Sequence, residues 1–356
     1  MKAFRIVLRA VGVAIALVFI FLIVAVLVAV ITDFNPPPHA ILAPEGNPGK
    51  SVVEKSRISI MSWNIGYAGL GSDMDFFYDG GENVRPPKQL NWEYFSGITK
   101  FLQKMDTLDF MLLQEVDKTA RRSHRQNQVE FLRNLLNGFQ SIFARNYDVM
   151  FVPVPVNNPM GRVESGLMNF SVYDATTSER IDYPGGYGFP KRLFMLDRCF
   201  IIQRYVTAQG KLLAVVNTHN SAFDDGRLRR QEFEFLREAV LEEYSKGHYV
   251  IVGGDWNRNP PEYDPEEILT GDTAVNIDMG NIPMDFMPEG WTWMHDETVP
   301  SNRWVNRPYK KATTKTTTID FFLVSPNIKP LEVQTPDLGF RYSDHNPVII
   351  RVELIN

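Results

Sequence analysis

Tyr249-Val250-Ile251-Val252-Gly253-Gly254-Asp255-Trp256-Asn257 is an apolar, partly β-branched run of strand length that ends in two glycines and an Asp-x-Asn pair. Such a run reads as a buried strand, and polar groups just past a strand end stand where loops carry function. The i, i+2 spacing turns Asp255 and Asn257 to one side. A carboxylate there can hold an attacking water, and a carboxamide can donate to a phosphate oxygen without adding repulsive charge. The plain alternative is an Asx-turn closing the strand. Alone, the pair decides nothing.

Four further fragments turn the balance. Ser343-Asp344-His345-Asn346 precedes a second apolar run, Val348-Ile349-Ile350. Trp63-Asn64 ends the run from Ile58, Leu113-Gln114-Glu115-Val116 follows Phe110-Met111-Leu112, and Asn217-Thr218-His219 ends the run from Leu212. Each places a polar group at the expected end of a strand. Glu115 there is a good hard-cation ligand, since Mg²⁺ is held by few carboxylates plus water. His345 has an ordinary pKa near neutrality, suited to proton transfer. Asp344 beside it can bind metal, and Asp320, after Thr317-Thr318-Ile319, can orient the ring. His219 is a second proton-transfer group. A lone histidine is more often structural, and His39, His124, His248 and His295 are read that way.

From Arg57 onward, strand-length apolar runs alternate with amphipathic stretches. Strands are expected at 58–65, 110–113, 149–154, 166–172, 198–206, 212–218, 249–253, 318–324 and 348–354. Helices are expected at 92–105, 126–136 and 227–245. Several strands adjoin with no helix between them, which argues for mixed or packed sheets rather than a doubly wound parallel one. The acidic stretch with Glu262, Asp264, Glu266 and Glu267 reads as loop or short helix. Arg303 to Lys315 is basic, holding Arg303 and Arg307. With Arg122 in Arg121-Arg122-Ser123-His124-Arg125, it is read as a phosphate-contacting rim beside the site.

Ahead of this lies a run of 22 uncharged residues, Ala10 to Ile31. About 20 apolar residues span a bilayer core as a helix. A signal peptide is the rival, but its apolar region is usually about 7–15 residues and ends in a small-x-small site; Ala29-Val30-Ile31-Thr32-Asp33 offers no good one. An uncleaved anchor over residues 1–32 is expected, with Lys2, Arg5 and Arg9 holding the N-terminus in the cytoplasm and the rest outside. Residues 33–56, rich in proline, read as a linker lifting a 57–356 domain off the membrane. The single Cys199 excludes an internal disulfide and reads as a small buried hydrophobe. A net charge of −5 and a pI near 5.8 give no global field toward nucleic acid.

The ordered fragments resemble the endonuclease/exonuclease/phosphatase superfamily, deoxyribonuclease-I-like, over roughly residues 57–354. They are Trp63-Asn64, Gln114-Glu115-Val116, Thr218-His219, Gly254-Asp255-Trp256-Asn257, Ile319-Asp320-Phe321 and Ser343-Asp344-His345. That resemblance implies an α/β, four-layer α-β-β-α sandwich of two packed mixed sheets, following one transmembrane helix, and a Mg²⁺-dependent phosphoesterase site, with Mn²⁺ or Ca²⁺ as substitutes. It implies that Asn64 and Glu115 hold the metal with Asp344 near it, and that Asp255 and Asn257 contact water and phosphate. Asp320 and His345 would form an acid–base pair, and His219 a second catalytic imidazole, with Glu164 as its partner.

The expected activity is extracytoplasmic hydrolysis of a phosphodiester by in-line attack of water, on nucleic acid or a small diester. A phospholipid or phosphoinositide headgroup is the second expectation, since the anchor brings the site near lipid. A non-catalytic binding protein with a vestigial site is the third, and the intact set of acids and histidines argues against it. The membrane is the only partner inferred besides substrate.

Overall fold

The computed structural model describes residues 2–222, 226–264 and 280–355. In chain order the first half contains α1 (Lys2–Ile31), β1 (His39–Ile41), β2 (Val52–Val53), β3 (Arg57–Asn64), α2 (Lys88–Lys104), β4 (Phe110–Asp117), α3 (Gln128–Leu135), β5 (Gln140–Val152) and β6 (Gly161–Ser171). The second half contains β7 (Thr177–Asp182), β8 (Cys199–Thr207), β9 (Leu212–His219), α4 (Arg227–Ser245), β10 (Tyr249–Asp255), β11 (Thr292–Met294), β12 (Asn302–Arg303), β13 (Thr316–Thr317), β14 (Asp320–Val324), β15 (Ile328–Gln334) and β16 (Val348–Leu354). The acidic stretch read as a loop lies, from position 265, outside the described residues.

Two mixed sheets pack face to face. One runs β1-β7-β8-β9-β10-β14-β11 with β2 beside β8; the other runs β15-β16-β3-β4-β6-β5. Side-chain alternation along each central strand builds the layers. Ile58, Ile60, Phe110, Leu112, Leu213, Val215, Tyr249 and Ile251 point between the sheets. Their neighbours Met61, Trp63, Met111 and Leu113 pack outward with Phe95, Ile98 and Leu102 of α2 and Leu132 of α3. On the far side Ala214, Val216, Val250 and Val252 pack with Phe233, Leu236 and Val240 of α4. Strands buried on both faces must read as nearly continuous apolar runs, and these do. Helices therefore cover both outer faces of the sheet pair, as the resemblance implies.

The interface between the sheets also carries a buried polar ladder. Gln114 Nε2 donates to Ser62 Oγ (3.1 Å) and to Asn217 Oδ1 (2.8 Å); Asn217 Nδ2 donates to Asn169 Oδ1 (2.7 Å). Asn169 Nδ2 then donates to Gln203 Oε1 (3.0 Å), and Gln203 Nε2 to Ser178 Oγ (3.1 Å). The chain of amides crosses repeatedly from one sheet to the other, and buried amides stay tolerable because their polar atoms are paired, Gln114 Oε1 being the exception in this ladder among the described residues.

Two expectations are corrected here. Residues 33–56 are not a free spacer. Arg192 Nη1 meets Asp33 Oδ2 at 2.9 Å, the Arg145 guanidinium lies 4.5 Å from the Phe34 ring, and Pro38 O accepts from Asp182 N at 2.8 Å. β1 then pairs with β7 and β2 with β8. Proline forbids a helix or a central strand but is tolerated at a sheet edge, and here the segment covers the β7 edge. The second concerns polar strands. β7 and β15 were not anticipated, because Thr-Ser-Glu-Arg-Ile-Asp and Ile-Lys-Pro-Leu-Glu-Val-Gln are edge sequences with exposed faces, without the apolar run that marks a central strand.

Candidate active site

Strand register assembles the site. In the parallel pair β9–β10, His219 stands opposite Asp255; in the antiparallel pair β10–β14, Asp255 stands opposite Asp320. Three functional groups thus share one sheet end. Gly254 is required there, since a Cβ would lie 2.0 Å from Thr218 O. Across the seam, Asn64 ends β3 beside Gln114 of β4. Glu115 does not end its strand as expected: β4 continues to Asp117, and its pairing with β6 slips between Leu113 and Val116. Glu115 sits in that bulge at φ 55°. A bulge re-aims a side chain, and a left-handed glutamate is strained. Together they turn the carboxylate into the cleft.

The loop that carries Ser343 to His345 is fastened to β3. Ser343 Oγ donates to Asn64 O (2.8 Å), and Trp63 Nε1 donates to His345 O (2.9 Å). His345 Nδ1 lies 2.7 Å from Asp320 Oδ2, which also accepts from Ser301 Oγ at 2.7 Å. With Nδ1 bonded to that carboxylate, Nε2 faces the cleft, 3.8 Å from Asp255 Oδ2 and 3.9 Å from Asp344 Oδ2. Asn302 Nδ2 stands 3.0 Å from the same Nε2. Asn302 was missed in the sequence, since an asparagine opening a two-residue strand carries no signal.

Electrostatics follow from crowding acids and imidazoles in a buried place. Burial, then the neighbouring Asp320 charge, pushes the Asp255 carboxyl up to about 7. Burial and the Glu115 charge raise Asp344 to about 6. Burial disfavours charged His345, yet the carboxylates of Asp320, Asp344 and Asp255 outweigh it and raise the imidazole well above its ordinary value. Burial, with Arg198 and His345 beside it, lowers His219 well below that value. Two imidazoles about one carboxylate are thereby driven apart, one toward the charged form and one toward the neutral form.

The donor set suits a hard divalent cation. Glu115, Asp344 and Asp255 offer oxygen donors, and the Glu115 charge adds to the cost of ionising Asp344, a cost that a bound cation would relieve. Asp255, Asp320 and His345 also approach closely enough to hold an ion. However, Asp320 Oδ2 and His345 Nδ1 are spent on each other, so that trio is better read as an acid–base relay. Asn64 presents its amide nitrogen to Asp255 Oδ2 (2.9 Å) and Glu115 Oε1 (3.3 Å), while its oxygen accepts from Gly66 N (3.0 Å). Asn257 Nδ2 donates to Asn220 O at 2.8 Å. Glu115, His219, Asp255, Asn257, Asp344 and His345 line a cleft of about 780 Å³ that runs on past Arg122 and Leu196 to Asn35 and Pro36, with Asn64 and Asp320 behind its wall.

Three expected residues do other work. Glu164 meets Arg162 (3.3 Å), Lys118 (3.4 Å) and Arg145 (3.8 Å), not His219; along β6 it is the next residue, Ser165, that lines the cleft. His219 Nδ1 finds no hydrogen-bond partner among the described residues. Arg303 is only 1 % exposed, and its guanidinium donates to the carbonyls of Leu70, Gly71, Met74, Trp304 and Arg307. Arg307 donates to Thr313 O and lies outside the cleft. Arg303 and Arg122 both border the cleft, but Arg303 is spent on those carbonyls, and Arg122 is paired with Asp117 at 2.9 Å and stacked 3.8 Å over Tyr67. Arg303→Met should therefore lower the thermal midpoint, by roughly 5–10 °C for a loss of about 3 kcal/mol. A variant with unchanged midpoint and raised KM would return Arg303 to the substrate rim.

A family model for the endonuclease/exonuclease/phosphatase family matches residues 61–345. The chain belongs to that family. Its members are hydrolases of phosphate ester bonds, and this enzyme is one of them. Solved structures agree in fold. A family member from Beutenbergia cavernae aligns with 14 % identity and a TM-score of 0.54, covering 85 % of this chain and 72 % of that one. One from Bacteroides vulgatus aligns with 18 % identity and 0.52, covering 84 % and 100 %. The human Nocturnin catalytic domain, solved with a sulfate anion, aligns with 15 % identity and 0.51, covering 88 % and 97 %. No curated protein matches the chain significantly.

Proposed function

We propose that this enzyme is a membrane-anchored, divalent-metal-dependent phosphodiesterase whose site lies outside the cytoplasm. The observation that carries the reading is the facing of Asp255, with the His345–Asp320 pair behind it, against Glu115, Asn64 and Asp344 across the seam. Mg²⁺ held by Glu115 and Asp344 would polarise the phosphoryl oxygens and stabilise charge on them; Asn64, expected to share in holding it, instead donates its amide to the Glu115 and Asp255 carboxylates and positions them. Asp255, pushed toward neutrality, accepts hydrogen bonds from a water placed with the help of Asn257. In-line attack forms one P–O bond as the ester P–O bond breaks. The water proton passes to the Asp255 carboxylate, the charged His345 ring stabilises that carboxylate and the phosphoryl oxygens, and the leaving oxygen, on the opposite face of phosphorus, takes its proton from solvent. His219, whose Nε2 stands 3.5 Å from Asp255 Oδ2, is neutral and can donate to a phosphoryl oxygen. No covalent intermediate is required.

α1 is long and apolar enough to cross a membrane, and the basic residues before its apolar run support a cytoplasmic N-terminus. The test is the full chain in detergent with bis-p-nitrophenyl phosphate. Turnover should vanish in EDTA and return with Mg²⁺; persistence in EDTA overturns the metal assignment. An alkaline phosphatase reporter fused to the C-terminus should be active in cells, and activity from a cytoplasmic reporter alone would reverse the topology.

A further inference from the structure

Two elements that α1 touches are β5 and the short turn Lys191–Phe194. Along α1 the side chains are exposed except near its C-terminal end, where Ala25, Val26 and Ala29 are partly covered. At 1.5 Å per residue these lie about 3–9 Å before the helix end at Ile31. If α1 crosses a bilayer over Ala10 to Ile31, that depth is inside the acyl region of one leaflet. What covers those residues sits at the same depth.

The covering elements are equipped for it. Met150 and Phe151 at the end of β5, Val154 and Val156 in the turn that follows, and Phe189 just before the 191–194 turn are all exposed, Val156 by 90 %. Large apolar side chains left wet on and beside two elements that both touch the anchor mark an interaction site. Lys191 and Arg192 flank it, the pairing of apolar and basic groups that suits an interface with anionic lipid. Asp33 to Pro38 hold this face against the anchor, through Arg192 and the Arg145–Phe34 stack. The cleft opens at the same place: Asn35, Pro36, Arg192, Met195, Leu196 and Met160, at the foot of the hairpin, line its outer part. A cleft of about 780 Å³ is far larger than a phosphate needs.

We propose that the β5–β6 hairpin tip and the segment around Phe189 seat in the leaflet where α1 ends, and that the cleft takes a phosphate ester carried by a lipid of that membrane. The chemistry rests on the phosphoesterase reading; the seating does not. The anchor is then part of substrate delivery, because the lipid moves laterally from the bilayer into a cleft whose mouth is already at headgroup level.

Two measurements on the full chain in phosphatidylcholine–phosphatidylglycerol vesicles test it. A nitrobenzoxadiazole label on Val156→Cys should be quenched by acyl-chain nitroxide lipids, whereas one on Lys329→Cys should not. Lys329 is exposed on β15, the opposite edge of the sheet from β5, and the native Cys199 is buried. Equal quenching at the two positions, or protection of the 156 label by a second copy of the chain, overturns the seating. In the second arm, Phe151→Asp/Val156→Asp should slow hydrolysis of vesicle phospholipid by about ten-fold or more, the effect of losing one or two buried apolar side chains. Bis-p-nitrophenyl phosphate should be turned over as before. Turnover of that diester and of nucleic acid with none of phospholipid overturns the substrate class. Absence of all turnover defeats the phosphoesterase reading, and the lipid substrate with it, while quenching still decides the seating.

Discussion

Glu115→Gln lowers turnover by roughly 100-fold or more at saturating Mg²⁺ and leaves the fold unchanged. Residues that merely support a metal ligand cost about 10–100-fold when removed, so a ligand itself belongs at or beyond the upper end. The swap is nearly isosteric but uncharged, which removes a hard anionic donor while keeping the bulge geometry. Loss of the Glu115 charge beside Asp344 should even favour the apoprotein slightly. Circular dichroism checks the fold, and isothermal titration with Mg²⁺ checks binding directly. Wild-type turnover in EDTA-treated, Mg²⁺-restored enzyme would sink the assignment. The bulge makes a second demand: a compact residue of the same charge, Glu115→Asp, should recover little, because the reach from a left-handed backbone is fixed.

His345→Ala and Asp320→Ala should each cost about 10²–10⁴-fold, the usual worth of a placed proton-transfer group. The 2.7 Å contact between Nδ1 and Oδ2 makes them one unit, and units give non-additive losses. The double variant should therefore be little slower than His345→Ala alone. Multiplying losses would mean that Asp320 acts independently, and the pairing would be wrong. Asp344→Ala supplies a contrast. Its carboxylate faces the proposed cation, so higher Mg²⁺ should restore part of its loss and none of that of His345→Ala.

How much of this was legible in the sequence depends on whether a residue's neighbours in the chain determine its place. Strands buried on both faces wrote themselves as apolar runs, so β3, β4, β9 and β10 were found, and β16, with one face buried, was found from its apolar start; so were the polar groups at their ends. α4 was expected at 227–245 and runs over Arg227–Ser245, because its charged and apolar faces are both regular. β5 was expected to begin at 149 and begins at Gln140, since its first half alternates with arginine, asparagine and aspartate. Arg303 illustrates the other limit. A basic stretch looks like a solvated or phosphate-binding rim, but one guanidinium can organise five carbonyls of distant loops, and nothing local marks it. Glu164 and Ser165 are adjacent in sequence, and the pleat alone decides which faces the cleft. Asn302 reaches His345 only because β12 pairs with β13 and bridges to the loop of Ser343 to His345, far away in the chain.

The amide ladder between the sheets bears on precision. An apolar interface has no preferred sliding position beyond the fit of its side chains, and here half of the reacting groups belong to each slab. Gln114 and Asn217 tie the strand that carries Glu115 to the strand that carries His219, within one and two residues of them. The ladder works as a dowel, admitting one offset of the slabs and no other. Tolerance at the reacting centre is thus set several ångströms away, by side chains that no substrate will ever touch.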